Sequence, residues 1–319
     1  MLYPRSSATD PGVPALPALS VCPGSLSDRH VVFPRLATGG GRQVINFAPP
    51  SASVDRRLSA DVAFSDVEAF CLRWIFRQAG LNVHDYRPES VQRRVSGLLR
   101  ALRVRSLPEA RSLLRTSPAL LPTAMDALLI GVTSFFRDPD MFNALRGTAL
   151  PELLCRGGEV RIWGTACSDG LELYSLAMLL AELELLHRAR LLGTDCRASA
   201  VSNARRGAFA PAELRDVDPA LLRRHLHLRE GAWCVSPVIR SRMRWRQADV
   251  LREMEPGEWD LILCRNFAIY LRAGATIELW TRVRGALRRG GFLVTGKAER
   301  LGMICGFRQV GPCLYRREE

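Results

Sequence analysis

A β-prone run, Val160 to Trp163, leads into a loop of small residues, Gly164 to Gly170, and then into a segment of helical period. In that segment the apolar positions are Leu171, Tyr174, Met178 and Leu179, with Ser175 beside them. Strand, small-residue loop and helix together restrict the fold more than any other stretch. It is how α/β sheets bring backbone N–H groups and a helix N-terminus against a ligand. Any βα unit needs small residues at its turn, so the unit alone leaves ligand binding and plain turn chemistry both open.

The neighbouring segments extend the same pattern. From about residue 146 strands and helices alternate, which predicts a mostly parallel sheet with helices on both faces. Strands are expected at Val160–Trp163, Ala189–Gly193, Met243–Gln247, Leu261–Cys264, Phe292–Thr295 and Cys313–Arg316. Helices are expected at about 171–186, 197–206 and 274–288, with Gly290-Gly291 ending the last as a C-cap. Between 209 and 245 the alternation breaks into a short helix, Pro219–His225, and a hairpin from Ala232 to Trp245.

Upstream lies a helical region. Ser65-Asp-Val-Glu68 is a capping-box pattern opening a helix through Gly80, with Val67, Phe70, Cys71, Trp74 and Ile75 as its apolar face. Arg87-Pro88-Glu89 starts a second helix to about Val104. Ser106 opens a third, and Ser117 is expected to cap a fourth reaching Ile130. Residues 1 to 60 hold eight of the nineteen prolines, a Gly39-Gly40-Gly41 run and no sustained periodicity, which predicts a disordered extension.

At 319 residues and 47% apolar the chain can bury a full core, and its length suggests two domains. No uncharged apolar run reaches 18 residues, so no membrane insertion is expected. Pro11, Pro14, Pro17 and Pro23 interrupt the only apolar stretch near the start, unlike a signal peptide. The nine cysteines form no CxxC pair and the five histidines are scattered, so no metal site and a cytoplasmic location are expected. The net charge of +13 favours anionic partners. No nucleic-acid recognition module appears, so no nucleic acid is expected among them.

Trp163-Gly-Thr-Ala-Cys167-Ser-Asp-Gly170-Leu-Glu172-Leu-Tyr174-Ser175 resembles the W-S-A-A-C-S-T-G-E-E-P-Y-S signature of the chemotaxis-receptor glutamate methyltransferases, the CheR family. Four further segments resemble that family in the same order. They are Thr133-Ser-Phe-Phe136-Arg137-Asp-Pro, Gly193-Thr-Asp195, Asp260-Leu-Ile-Leu-Cys264-Arg265-Asn266 through Tyr270, and Gly291-Phe-Leu-Val-Thr-Gly296-Lys-Ala-Glu299. The resemblance covers about residues 62 to 319.

The resemblance implies an α/β fold, a class I SAM-dependent methyltransferase with a Rossmann-like doubly wound sheet and a small β-subdomain at about 209–245. An all-α domain over 61–145 would precede a methyltransferase domain over 146–319. The implied cofactor is S-adenosyl-L-methionine, and the implied partner is a methyl-accepting chemoreceptor with acidic coiled-coil helices. By the same resemblance Thr133, Arg137, Gly164, Glu172, Asp195, Asp249, Val250, Arg265 and Asn266 would bind the cofactor. Arg137, Arg265, Asn266 and Tyr270 would serve the reaction as positioning and electrostatic groups.

Asp195 suits both ribose hydroxyls, though an acid there also suits an N-cap for the next helix. The second helix carries Arg87, Arg93, Arg94 and Arg100, as well as Arg103. Such a face is commonly only solvated; by the resemblance it would dock the acidic receptor helices, which arginine can grip in bidentate fashion.

A glutamate carboxylate is ionised at neutral pH and needs no general base to take a methyl group, so alignment and exclusion of water are what the site must supply. The chain departs from the family pattern at Leu171 and Leu173, where the family has Glu and Pro, and at Gly131, where it has Asn. It departs again at Arg197, which replaces a second acid, and at Lys297-Ala298, which replaces His-Ser. These changes keep two alternatives open: a non-catalytic cofactor-binding scaffold, and a methyltransferase for another substrate. The loop between His225 and Ala232 is short, which disfavours tethering of a receptor tail.

Overall fold

In the computed structural model, residues 64–129, 131–215, 217–301 and 306–318 are described. The extension expected over 1–60 lies outside them. Helix α1 spans Asp66–Gln78, and the Ser65–Glu68 capping box forms as the sequence pattern predicts. Helix α2 (Pro88–Leu102) has proline in its first turn and ends at Arg103 in the left-handed conformation. Helix α3 spans Leu107–Thr116 and is capped by Ser106. The fourth helix departs from expectation. Ser117 makes no side-chain cap; Pro118–Leu120 form a 3-10 turn and α4 begins only at Leu121, running to Leu128. Ile130 is outside the described residues. Helices α5 (Pro139–Ala144) and α6 (Leu150–Cys155) follow, joined by one π-helical stretch.

The α/β part opens with β1 (Val160–Thr165), α7 (Leu171–Glu182), β2 (Ala189–Asp195) and α8 (Ala198–Arg206). A small three-stranded sheet comes next, made of β3 (Ala208–Phe209), β4 (Leu226–Arg229) and β5 (Ala232–Val235), with α9 (Pro219–His225) between β3 and β4. The hairpin expected over 232–245 is therefore displaced. Its strands are Leu226–Arg229 and Ala232–Val235, turning at Glu230-Gly231 with both residues at positive φ. After α10 (Pro237–Arg240) the chain returns to the main sheet with β6 (Met243–Gln247), β7 (Trp259–Cys264), α11 (Ala273–Ala286), β8 (Leu287–Val294), β9 (Phe307–Gly311) and β10 (Leu314–Arg317).

Gly290 and Gly291 were expected to end the last helix, but α11 stops at Ala286 and both glycines lie inside β8. A Cβ on Gly291 would meet the Arg288 and Asp260 carbonyl oxygens at 2.9 and 3.1 Å, so glycine there permits the close backbone approach at the register shift between β7 and β8. The main sheet has the order β6-β2-β1-β7-β8-β10-β9. Its first five strands pair in parallel, and β10 is antiparallel to both neighbours. Strand order reverses between β1 and β7, the switch point at whose carboxyl ends such sheets bind ligands.

Alternate residues of the central strands point to opposite faces. Ile162, Leu261, Leu263 and Phe292 join a core with α7 and the small sheet. Trp163, Ile262, Cys264 and Leu293 join another, which also holds Leu72, Leu98, Leu114 and Met125 of α1 to α4 and Trp280 of α11. The helices upstream of the sheet are thus one wall of a core shared with it.

Candidate active site

The loop after β1 is held in an uncommon backbone conformation. Ala166, Ser168 and Gly170 all have positive φ, and only the last is glycine. Cβ atoms on Gly170 or Gly193 would meet the Trp245 ring at 2.5 and 2.3 Å. The two glycines admit Trp245 beneath the loop, and the loop is packed up toward the strand ends. Cys167 N–H donates to the Thr194 carbonyl and Ser168 N–H to the Asp195 carboxylate, both across to β2.

A cleft opens at these strand ends, where sheets of this topology bind ligands. Asp195, Asn266 and Tyr270 line it, together with Ala166 of the β1 loop. Its apolar wall is Val91, Leu128, Leu129 and Phe267, and Tyr86, Ser90, Cys196 and Arg197 complete it. Asp195 does not cap α8, whose N-cap is Arg197. Its Oδ2 accepts from Ser168 N–H at 2.8 Å and its Oδ1 from Arg197 N–H at 2.9 Å. Apolar walls beside a fixed carboxylate suit a ring that stacks and a hydroxyl that donates. Burial pushes the Cys196 and Cys167 thiols up, so neither supplies a thiolate nucleophile at neutral pH.

The remaining residues singled out in the sequence lie outside this lining. Arg265 is 5% exposed and forms ion pairs with Glu172 and with Asp138, the latter at 2.6 Å. Its Nε donates to the Thr295 carbonyl. Burial lowers its pKa from the ordinary range, an effect the neighbouring Asp138 opposes. Glu172, Arg265 and Asp138 thus form one ionic cluster centred on a buried guanidinium. Lys297 extends it, with Nζ 3.1 Å from Asp138. Arg137 donates to the Val132 carbonyl at 3.2 Å, and its own carbonyl accepts from Arg265. Thr133 is half-buried in the same segment. That segment is pinned to α7 by Ser175, whose Oγ accepts from Phe136 N–H at 2.9 Å.

Gly164 sits within β1 with the Leu173 methyls 3.4 and 3.6 Å from where its Cβ would be. Leu173 therefore packs on the strand and leaves the cleft untouched. Asp249 accepts from Leu251 N–H and Arg252, and burial raises its carboxyl pKa. Val250 is buried beside it. On α2, Arg93 and Arg100 are exposed and Arg94 is half-buried. Arg87 is exposed as a residue but tied down: its Nε donates to the Leu271 carbonyl at 2.8 Å, and its N–H donates to the Tyr270 carbonyl.

One organising residue escaped the sequence reading. Glu299 is 2% exposed, and its carboxylate accepts from the N–H groups of Asn266, Phe267, Ala268 and Gly296 at 2.6 to 3.0 Å. It holds Asn266, at φ +55°, and the turn leading to Tyr270. Its place in the last conserved-looking motif was visible, but the four donors were not.

A seven-stranded sheet that is parallel but for β10, flanked by helices and with an acid at the end of β2 lining a cleft at the switch point, is the fold of class I SAM-dependent methyltransferases. The family description "CheR methyltransferase, SAM binding domain" matches residues 131–310, and "CheR methyltransferase, all-alpha domain" matches 68–129. The chain belongs to the CheR methyltransferase family. Chemotaxis protein methyltransferase 1 of Pseudomonas aeruginosa is 30% identical over 263 residues, 79% of this chain and 96% of that protein. Chemotaxis protein methyltransferase Cher2 of Pseudomonas putida is 28% identical over 261 residues, covering 78% and 94%. Chemotaxis protein methyltransferase of Listeria monocytogenes is 29% identical over 232 residues, covering 72% and 88%.

Proposed function

We propose that the protein methylates glutamate side chains of chemoreceptors, using S-adenosylmethionine. The observation that carries this reading is the cleft of Asp195, Asn266 and Tyr270 in a chain of this family. When bound, the cofactor supplies a sulfonium methyl that an ionised carboxylate takes without proton transfer. The chain's own part is binding and alignment. Asp195 would take a ribose hydroxyl on the one acceptor position its neighbours leave free, and Val91, Leu128, Leu129 and Phe267 would exclude water around the base. Asn266 and Tyr270, held by Glu299, would form the polar edge where the substrate carboxylate enters. The ionic cluster of Glu172, Arg265 and Asp138 would fix the loops that carry Arg137 and Asn266.

Arg93, Arg94 and Arg100 give α2 a basic face that suits the acidic helices of a receptor. Arg87 would act by joining α2 to the turn after Tyr270. The proposed division is a helical domain over 61–145 and a methyltransferase domain over 146–319, acting in the cytoplasm on the receptor's inner portion. The altered Leu171 and Leu173 are both buried away from the cleft, which favours an enzyme over a non-catalytic scaffold.

The test is transfer of labelled methyl from S-adenosylmethionine to purified cytoplasmic fragments of chemoreceptors. Label that alkali releases as methanol, and that is lost when the receptor's acceptor glutamates are changed to alanine, is the expected result. Alkali-stable label would mean an N-methyl product and overturn the proposal. So would cofactor binding without transfer to any receptor fragment.

A further inference from the structure

Two departures from the family pattern, Gly131 and Arg197, meet in space. A Cβ built on Gly131 would lie 2.3, 2.4 and 2.6 Å from Nη1, Nη2 and Cζ of Arg197. The guanidinium therefore occupies the volume where the side chain of residue 131 would begin. It is anchored there. Arg197 Nε donates to Asp195 Oδ1 at 3.2 Å, Nη2 donates to Ser168 Oγ at 3.1 Å, and Nη1 lies 3.8 Å from Asp126. Ser168 Oγ in turn donates to the Gly131 carbonyl at 2.7 Å. The Arg197 side chain is 11% exposed and lines the cleft next to Asp195.

We propose that Arg197 is a positioning residue of the cofactor site and that Gly131 is what admits it. With its backbone and side-chain N–H groups on Oδ1, and Ser168 N–H on Oδ2, the Asp195 carboxylate is held in one orientation. A carboxylate has about four acceptor positions, so one stays free for a cofactor hydroxyl on Oδ2. A side chain at 131 and the guanidinium in its present seat exclude each other. The loss of the family's asparagine at 131 and the gain of arginine at 197 are thus one exchange rather than two defects. The polar group that seats the 131–137 segment against the β2 end comes from α8 instead of from the segment itself.

This inference rests on the cofactor site and not on the identity of the methyl acceptor. The test is calorimetric titration of the full chain with S-adenosylhomocysteine. It compares wild type, Arg197→Ala, Gly131→Asn and the double variant, each checked for folding by its ligand-free melting curve. Asparagine at 131 meets only the mobile end of Arg197, so that variant keeps its fold even if Arg197→Ala does not. Each single change is expected to weaken binding about ten-fold, the scale of one charge-assisted hydrogen bond. The double variant is expected to bind about as Gly131→Asn does, because the asparagine has already evicted the guanidinium.

Multiplication of the two effects to roughly a hundred-fold would overturn the pair, as would full affinity in either folded single variant. A wild-type chain that bound no S-adenosylhomocysteine would overturn the cofactor site and the pair together.

Discussion

Asp195 and Glu299 are both buried acids whose neighbours decide what they do. Asp195 keeps acceptor capacity toward the cleft, so Asp195→Ala is expected to weaken S-adenosylhomocysteine binding at least about ten-fold by calorimetry. Its ligand-free melting curve should fall less than that of a Glu299 variant. Glu299 faces four backbone donors and has nothing left for a ligand. Hydrogen bonds to an ionised group contribute about 1.5–3 kcal/mol each. Glu299→Gln gives up the charge and turns one acceptor into a donor aimed at other donors. Urea melts of this variant are expected to lose about 2–4 kcal/mol. Its cofactor affinity should fall with the loosened Asn266 turn, and an unchanged affinity would make Glu299 a purely structural brace. The sequence marked Asp195 through its place at a strand end. It could not mark Glu299 as a brace, because three of its four donors are backbone groups 31 to 33 residues away.

At the scale of elements, capping chemistry is local and was readable. Ser65 and Glu68 form the reciprocal cap, and Ser65→Ala is expected to lower stability by about 1 kcal/mol in a thermal melt. Helix α7 is less local. Tyr174 is fully buried, packs edge-on against Phe209, and donates to the Ala204 carbonyl of α8 at 2.7 Å. Burial pushes its phenol up to about 12, whereas an unfolded tyrosine ionises near pH 10. The unfolded chain therefore loses this proton first. The stabilisation is complete below about pH 10 and is lost as pH rises through about 12. Urea midpoints of Tyr174→Phe should be lower than wild type near neutral pH, by about 1 kcal/mol for the lost bond. They should fall less steeply than wild type above pH 10; parallel curves would show that the phenol does not titrate in this window. Where elements were misread, packing had overridden local signals. Gly290-Gly291 looks like a helix stop, yet both lie inside β8, where Gly291 admits the backbone of β7. The pairing of Leu226–Arg229 with Ala232–Val235 depended on a Glu-Gly turn that was taken for a plain loop.

At the scale of the whole molecule, the helices upstream of the sheet and the sheet itself share buried apolar contacts. Polar ties run alongside: Arg272 N–H donates to the Asp85 carbonyl, Arg252 pairs with Asp85 at 2.8 Å, and Tyr86 bridges to Leu271. Leu98 is fully buried in this common core. Leu98→Ala is expected to cost about 2–5 kcal/mol and to shift one cooperative transition that includes the sheet. Calorimetry resolving two peaks, with only one of them moved, would show the helical part unfolding on its own. None of the described helices is long and apolar enough to cross a membrane.

By itself the sequence determined the alternation of strands and helices, the strand–loop–helix unit at its centre and the family to which the chain belongs. Each of these is written in short-range periodicity, caps and ordered motifs, which need no knowledge of contacts. Tertiary structure alone decided which of the motif residues face the cleft. Asp195, Asn266 and Tyr270 line it, while Glu172 and Arg265 pair with each other outside that lining. It also decided that Gly131 and Arg197, 66 positions apart, occupy one volume. Excluded volume and buried charge are properties of atoms brought together by the fold, and no local pattern along the chain records them.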